Sequence, residues 1–145
     1  MVMRLLPRVN RFDASAAEWR LAAEAVVLTA AVATAVHAVS VRRAVSLASA
    51  WGRRRFGSSR VSPDRAARIV DYVAGRLLGQ TCLTNAIVLY GLLRRRGMDA
   101  DIVIGTTQQD GRFAAHAWLR CGDRTLLEGT ADSYAPLCRL GAEQP

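Results

Sequence analysis

Lysine is missing: all 20 basic residues are arginine. Mechanisms that need a catalytic lysine are therefore excluded. Histidine occurs only at His37 and His116, and cysteine only at Cys82, Cys121 and Cys138. Three cysteines cannot all pair within one chain, and no CxxC is present. A secreted disulfide scaffold is thus disfavoured and a reducing cytoplasm expected. Cys121 and His37 do not make a zinc set, because metal sites want ligands clustered at short spacing; neither metal nor cofactor is expected. Aromatic residues make up 6%, too few for a stacking groove, so nucleic acid is not an expected partner. There is no internal repeat and no low-complexity tail.

What is present suits one domain. The 145 residues are 51% hydrophobic and 22% charged, enough to bury a core and too apolar for disorder. The net charge of +8 is lopsided: residues 1–60 carry +7 and residues 61–145 carry +1. The excess is densest at Arg42, Arg43, Arg53, Arg54, Arg55 and Arg60. A solvated basic face, an acidic partner or a membrane surface would each account for it. The apolar stretch Ala25–Val41 is at the short end of what spans a bilayer, is interrupted by His37 and follows Asp13, Glu18 and Glu24. We expect a buried helix of a soluble protein. Membrane contact through the N-terminal helices is the alternative.

Along the chain, residues 1–13 read as an irregular basic lead and 14–38 as one helix, capped by Ser15 with Glu18 three residues later. A short helix follows near 40–51, then a polar connector, Gly52 to Ser62. Ser62-Pro63-Asp64 starts another helix. Its apolar positions Ala66, Ile69, Val70, Val73 and Leu77 run to a stop near Gly79. A further helix opens at Thr81 or Cys82, sets Cys82, Ala86, Leu89 and Leu93 on one face, and ends in Arg94-Arg95-Arg96-Gly97. The period then changes. Residues 101–107 and 113–120 read as strands joined by the turn QQDGR, and 124–128 as a third strand. The fold class is α+β: N-terminal helices (1–61), then a core (62–138) of a helix packed on a small antiparallel sheet.

Cys82 sits at a helix start, where unpaired N–H groups favour a thiolate, the competent nucleophile. Strand alternation puts His116 on one face with Ala114, Trp118 and Arg120. Glu128, 12 residues beyond His116, could accept the other imidazole N–H. Together these have the logic of nucleophile, base and orienting acid. Taken singly, each has a plainer reading: a buried small hydrophobe, a satisfied core histidine, an exposed strand-end carboxylate.

The segments TCLTNAIVLYGLLRRRGMDADIVIGT and FAAHAWLRCGDRTLLEGT resemble the transglutaminase-like cysteine peptidases of lasso-peptide biosynthesis, the leader peptidases often called the B protein or its protease half. The shared features are a Cys-Leu opening a helix that ends in LLRRRG, an IVIG strand, and AHAW with a glycine turn after it. They cover about residues 62–138. AHAW alone speaks for a transglutaminase or papain-like core more than for a substrate. The resemblance implies Cys82 as nucleophile and His116 as base, with a third position commonly Asp. Here Glu128 stands at that place and Asp132 is the alternative; Asp123, in a turn, is a weaker one. It further implies thioester-mediated removal of a leader from a ribosomally made precursor peptide, beside a small PqqD-like leader-recognition protein and an ATP-dependent lasso cyclase. A transglutaminase-like amidase or acyltransferase on another peptide, and an inactive basic binding module, are the rival readings.

Overall fold

The computed structural model describes residues 15–54, 61–129 and 131–141. The basic lead, Arg55, Arg60 and most of the connector lie outside them. Helix α1 spans Ala16–Ala38, α2 Val41–Gly52, α3 Pro63–Val70 and α4 Cys82–Arg95. Each begins on a hydroxyl cap: Ser15, Ser40, Ser62 and Thr81 each accept a backbone N–H of the first turn. At α1 the cap is reciprocal, because the Glu18 carboxylate returns to the Ser15 N–H.

Two helical details differ from the periodicity. After α3 the chain widens into a π-helical stretch, Asp71–Leu77, instead of continuing as α-helix. And α4 is not one-sided. Every residue from Thr84 to Leu93 is buried, because α1, α2, α3 and β2 all pack around it. Ile87, Val88, Leu89, Leu92 and Leu93 are fully enclosed, each stabilising the fold by about 1.5–3 kcal/mol. α1 and α2 press close: a Cβ on Gly91 would sit 3.0 Å from Leu28, and one on Gly52 2.7 Å from the Arg94 Cβ. The arginine triplet that ends α4 is spent on the fold. Arg94 pairs with Asp99, Arg95 and Arg96 with Glu24 of α1, and the Arg95 guanidinium lies 4.3 Å over the Trp51 ring of α2.

α1 buries one stripe, Leu21, Ala25, Leu28, Thr29 and Val32, while Trp19, Val26 and Val27 stay exposed. The expected core helix is thus buried along one face only. It is also long and apolar enough to cross a membrane, by length and composition.

Strands β1 (Asp101–Gln109), β2 (Arg112–Cys121), β3 (Arg124–Leu126) and β4 (Ala135–Leu140) form one antiparallel sheet in the order β3-β2-β1-β4. The β1–β2 connection is tighter than QQDGR suggests. Gln109 pairs with Arg112 and only Asp110 and Gly111 turn, at φ 50° and 73°, the primed geometry that suits hairpin twist. β4 carries Pro136 and lies on the sheet edge, where a missing N–H costs no ladder bond. On the inner face Ile102, Ala117 and Leu119 join the helical core. On the outer face Val103, Trp118 and Tyr134 form a separate small cluster.

Candidate active site

The site follows from a length mismatch in the sheet. β3 pairs only with Leu119, Arg120 and Cys121, so among the described residues no strand neighbours the edge of β2 at His116 and Ala117. The chain instead turns back there through Leu127–Gly129. A cleft of about 550 Å³ opens between that turn, the start of α4 and the α3–π-helix segment. Its walls carry Cys82, His116 and Glu128, along with Arg68, Asp71, Gly75, Gln80 and Asn85.

Cys82 is the first residue of α4, half-buried, with its own N–H ahead of the first intrahelical acceptor. Thr81 is spent on capping: its hydroxyl accepts the Thr84 N–H. Gln80 faces the cleft with its side-chain amide donating to the Leu78 carbonyl at 3.0 Å.

The His116 ring is held on three sides. It stacks on Trp118 (centroids 6.0 Å apart), leans on Tyr134 at 5.5 Å, and puts Nε2 3.2 Å from the Leu127 carbonyl oxygen. A carbonyl can only accept, so Nε2 donates and the lone pair of the neutral ring lies on Nδ1. Leu127 pays for this position with φ 59°, a left-handed conformation that is strained for a bulky residue. Gly129, at φ 51°, completes the turn, and a Cβ there would touch the ring at 3.5 Å from Nε2, an ordinary contact distance. Trp118 in turn needs Gly105, where a Cβ would fall 2.5 Å from the indole.

Glu128 is exposed and borders both the cleft and an adjoining depression of about 330 Å³ on the outer sheet face. Asp132 lines that second depression with Arg120, Tyr134 and Arg139. Asp123 lies in the β2–β3 turn. Among the described residues no hydrogen bond or ion pair joins either Glu128 or Asp132 to His116, and no hydrogen bond joins the Cys82 sulfur to the ring. Cys121 and Cys138 line neither hollow. Burial, and then the Asp99 carboxylate, push the Cys121 thiol up from its ordinary value, so it stays protonated and a poor nucleophile.

Sequence reasoning did not anticipate Arg68, Asp71 and Asn85 on the cleft. Asn85 was the most accessible to it, since it lies three residues after Cys82, on the same helical face. Among the described residues its Oδ1 is buried without a partner, and Gly75 leaves the space its amide fills, with a Cβ there 3.0 Å from Nδ2.

Cys82 and His116 thus line one cleft at the sheet edge, although the His116 ring stacks with Trp118 and Tyr134 of the outer-face cluster. The model of the transglutaminase-like superfamily matches residues 24–139, and the chain belongs to that superfamily, whose members are commonly cysteine peptidases and acyltransferases. No curated protein and no solved structure matches it.

Proposed function

We propose that this chain is a cysteine peptidase that removes the leader from a ribosomally made lasso-peptide precursor. The observation that carries the reading is the shared cleft of Cys82 and His116, with Nδ1 of His116 left as the proton acceptor by the Leu127 hydrogen bond. The Cys-Leu…LLRRRG and AHAW segments support the narrower substrate assignment.

In this mechanism His116 Nδ1 takes the Cys82 proton as the sulfur attacks the scissile carbonyl. The resulting oxyanion receives the Cys82 N–H and the remaining N–H of Gln80. The imidazolium then gives its proton to the leaving amine of the core peptide. The acyl group stays on sulfur as a thioester until water, deprotonated by His116, releases the leader as an acid. Ring orientation comes from the Leu127 carbonyl, Trp118 and Tyr134. Glu128 borders the cleft as an exposed carboxylate. The reaction uses this chain's own groups throughout and calls on no cofactor.

A PqqD-like recognition protein would present the leader. The exposed arginines Arg42, Arg43, Arg53 and Arg54 are the docking surface we assign to that partner or to the leader itself, in a cytoplasmic setting beside the cyclase. The test is cleavage of a precursor encoded next to this chain, in the presence of a leader-binding protein encoded there, followed by mass spectrometry. Release of intact leader and core, lost in Cys82→Ala and His116→Ala, supports the assignment. Wild-type cleavage by Cys82→Ala refutes it, and transfer of the leader to an added amine in preference to water would make the enzyme an acyltransferase.

A further inference from the structure

Among the described residues, the mismatch that opens the cleft also leaves β2 with an unpaired edge. β1 covers one side of β2 from Arg112 to Arg120, but β3 reaches only Leu119–Cys121 on the other. From Arg112 to Ala115 the side chains are exposed on both faces, Phe113 to 74%. Among the described residues, this end of the hairpin therefore has one row of backbone N–H and C=O groups with no strand paired to it. Folded proteins guard such edges with proline, charge or a covering element, because they template pairing with another chain. The opposite edge of this sheet is guarded in that way, with Pro136 and Arg139 in β4. Phe113-Ala114-Ala115-His116 carries neither proline nor a permanent charge, and its two alanines leave the backbone open to close approach. The edge also leads straight into the cleft, since the next residues of β2, His116 and Ala117, line it.

We propose that the free edge of β2, residues 113–115, is the docking strand for the peptide substrate, which adds in extended form as a fifth strand and delivers its scissile carbonyl to Cys82. The inference rests on the thiol-peptidase reading above and supplies what that reading lacks, a reason for choosing a disordered peptide. Main-chain pairing gives affinity without demanding a sequence, and only an extended chain can use it. A folded peptide has its own backbone groups already paired and is passed over. In such pairing the substrate's N–H groups face β2 at alternate residues only.

The experiment uses acetyl-alanyl chloromethyl ketones of one to four residues, with inactivation mapped to Cys82 by mass spectrometry and iodoacetamide as the control without a backbone. We expect the second-order inactivation rate to rise by at least about tenfold from one residue to four, the worth of one or two net hydrogen bonds. N-methylation should abolish that gain at alternate positions and spare those between. Ala114→Pro and Ala115→Pro make the reciprocal test. Only one of these N–H groups faces the free edge, so one variant should keep the wild-type melting temperature and lose the length dependence, while the other weakens the hairpin. If neither folds, the N-methyl series decides alone. A rate independent of length, or a gain lost equally at every methylated position, overturns the docking strand while leaving the nucleophile intact. Failure of iodoacetamide to modify Cys82 would instead overturn the thiol-peptidase reading itself.

Discussion

Replacing Glu128 with glutamine separates two ways of holding an imidazole. If a carboxylate fixes the ring, its isosteric amide stabilises the wrong tautomer, and the loss in kcat is on the order of 10⁴, about 5 kcal/mol of transition-state stabilisation. In this site the Nε2 proton goes to the Leu127 carbonyl at 3.2 Å, which the substitution leaves in place. Only the charge is removed. Glu128 is exposed, and an exposed charge acting on the imidazolium contributes roughly 0.2–1 kcal/mol in water at ordinary salt. The expected loss in kcat is therefore no more than about fivefold, and it should shrink as salt is raised. The assay is steady-state cleavage of the precursor by wild type and Glu128→Gln at low and high ionic strength. ¹⁵N spectroscopy of His116 in the resting enzyme should show the proton on Nε2 in both. A loss in kcat beyond about 100-fold, or a proton on Nδ1 in the variant, refutes the main-chain account and restores the carboxylate as the orienting group.

Gly105→Ala should force the Trp118 indole off β1, at a cost of about 1–3 kcal/mol. It should lower both the melting temperature and kcat, and unchanged values of both would show that Trp118 does not brace His116. Glu18 is held below its ordinary carboxyl value by the Ser15 N–H and then by Arg65, so its contribution is present above the unfolded value and lost as pH falls through the folded one. The stability gap between wild type and Glu18→Gln, read from denaturant midpoints, should be open near neutrality and close as the pH drops below about 4.5; a gap that widens in acid contradicts the assignment. Alkylation timed by mass spectrometry should modify Cys121 last of the three thiols, and early reaction there would mean that burial and Asp99 do not hold it protonated.

Much of this was readable from the chain because it is written in side chains. Ser15 with Glu18, and Ser62 with Pro63, announce their helices through local hydrogen bonding that needs no tertiary partner. Cys82 and His116 stand out because their chemistry is rare in a sequence with three cysteines and two histidines. What could not be read depends on the rest of the molecule. The burial of α4 all round reflects the helices and strands packed around it, so its helical pattern alone understates it. β4 is hidden by Pro136, whose cost disappears only on an edge strand. The group that holds His116 is a peptide carbonyl, which every residue possesses, and only the left-handed turn at Leu127 makes it special. The open edge of β2 depends on where β3 stops, which was expected at residue 128 and falls at Leu126.

The enclosure of α4 has a consequence for how the molecule opens. Backbone amides exchange with solvent wherever a segment detaches, and the segments that detach most easily are those with few buried neighbours. The hairpin tip and the turn at 127–129 are of that kind, while residues 84–93 are the opposite. The amides from Asn85 to Leu93 should consequently be among the slowest to take up deuterium, exchanging only when the whole domain comes apart. Cys82 thus stands at the end of the part of the protein that lets go last, and breathing of the cleft moves the 127–129 turn more than the helix that carries its sulfur.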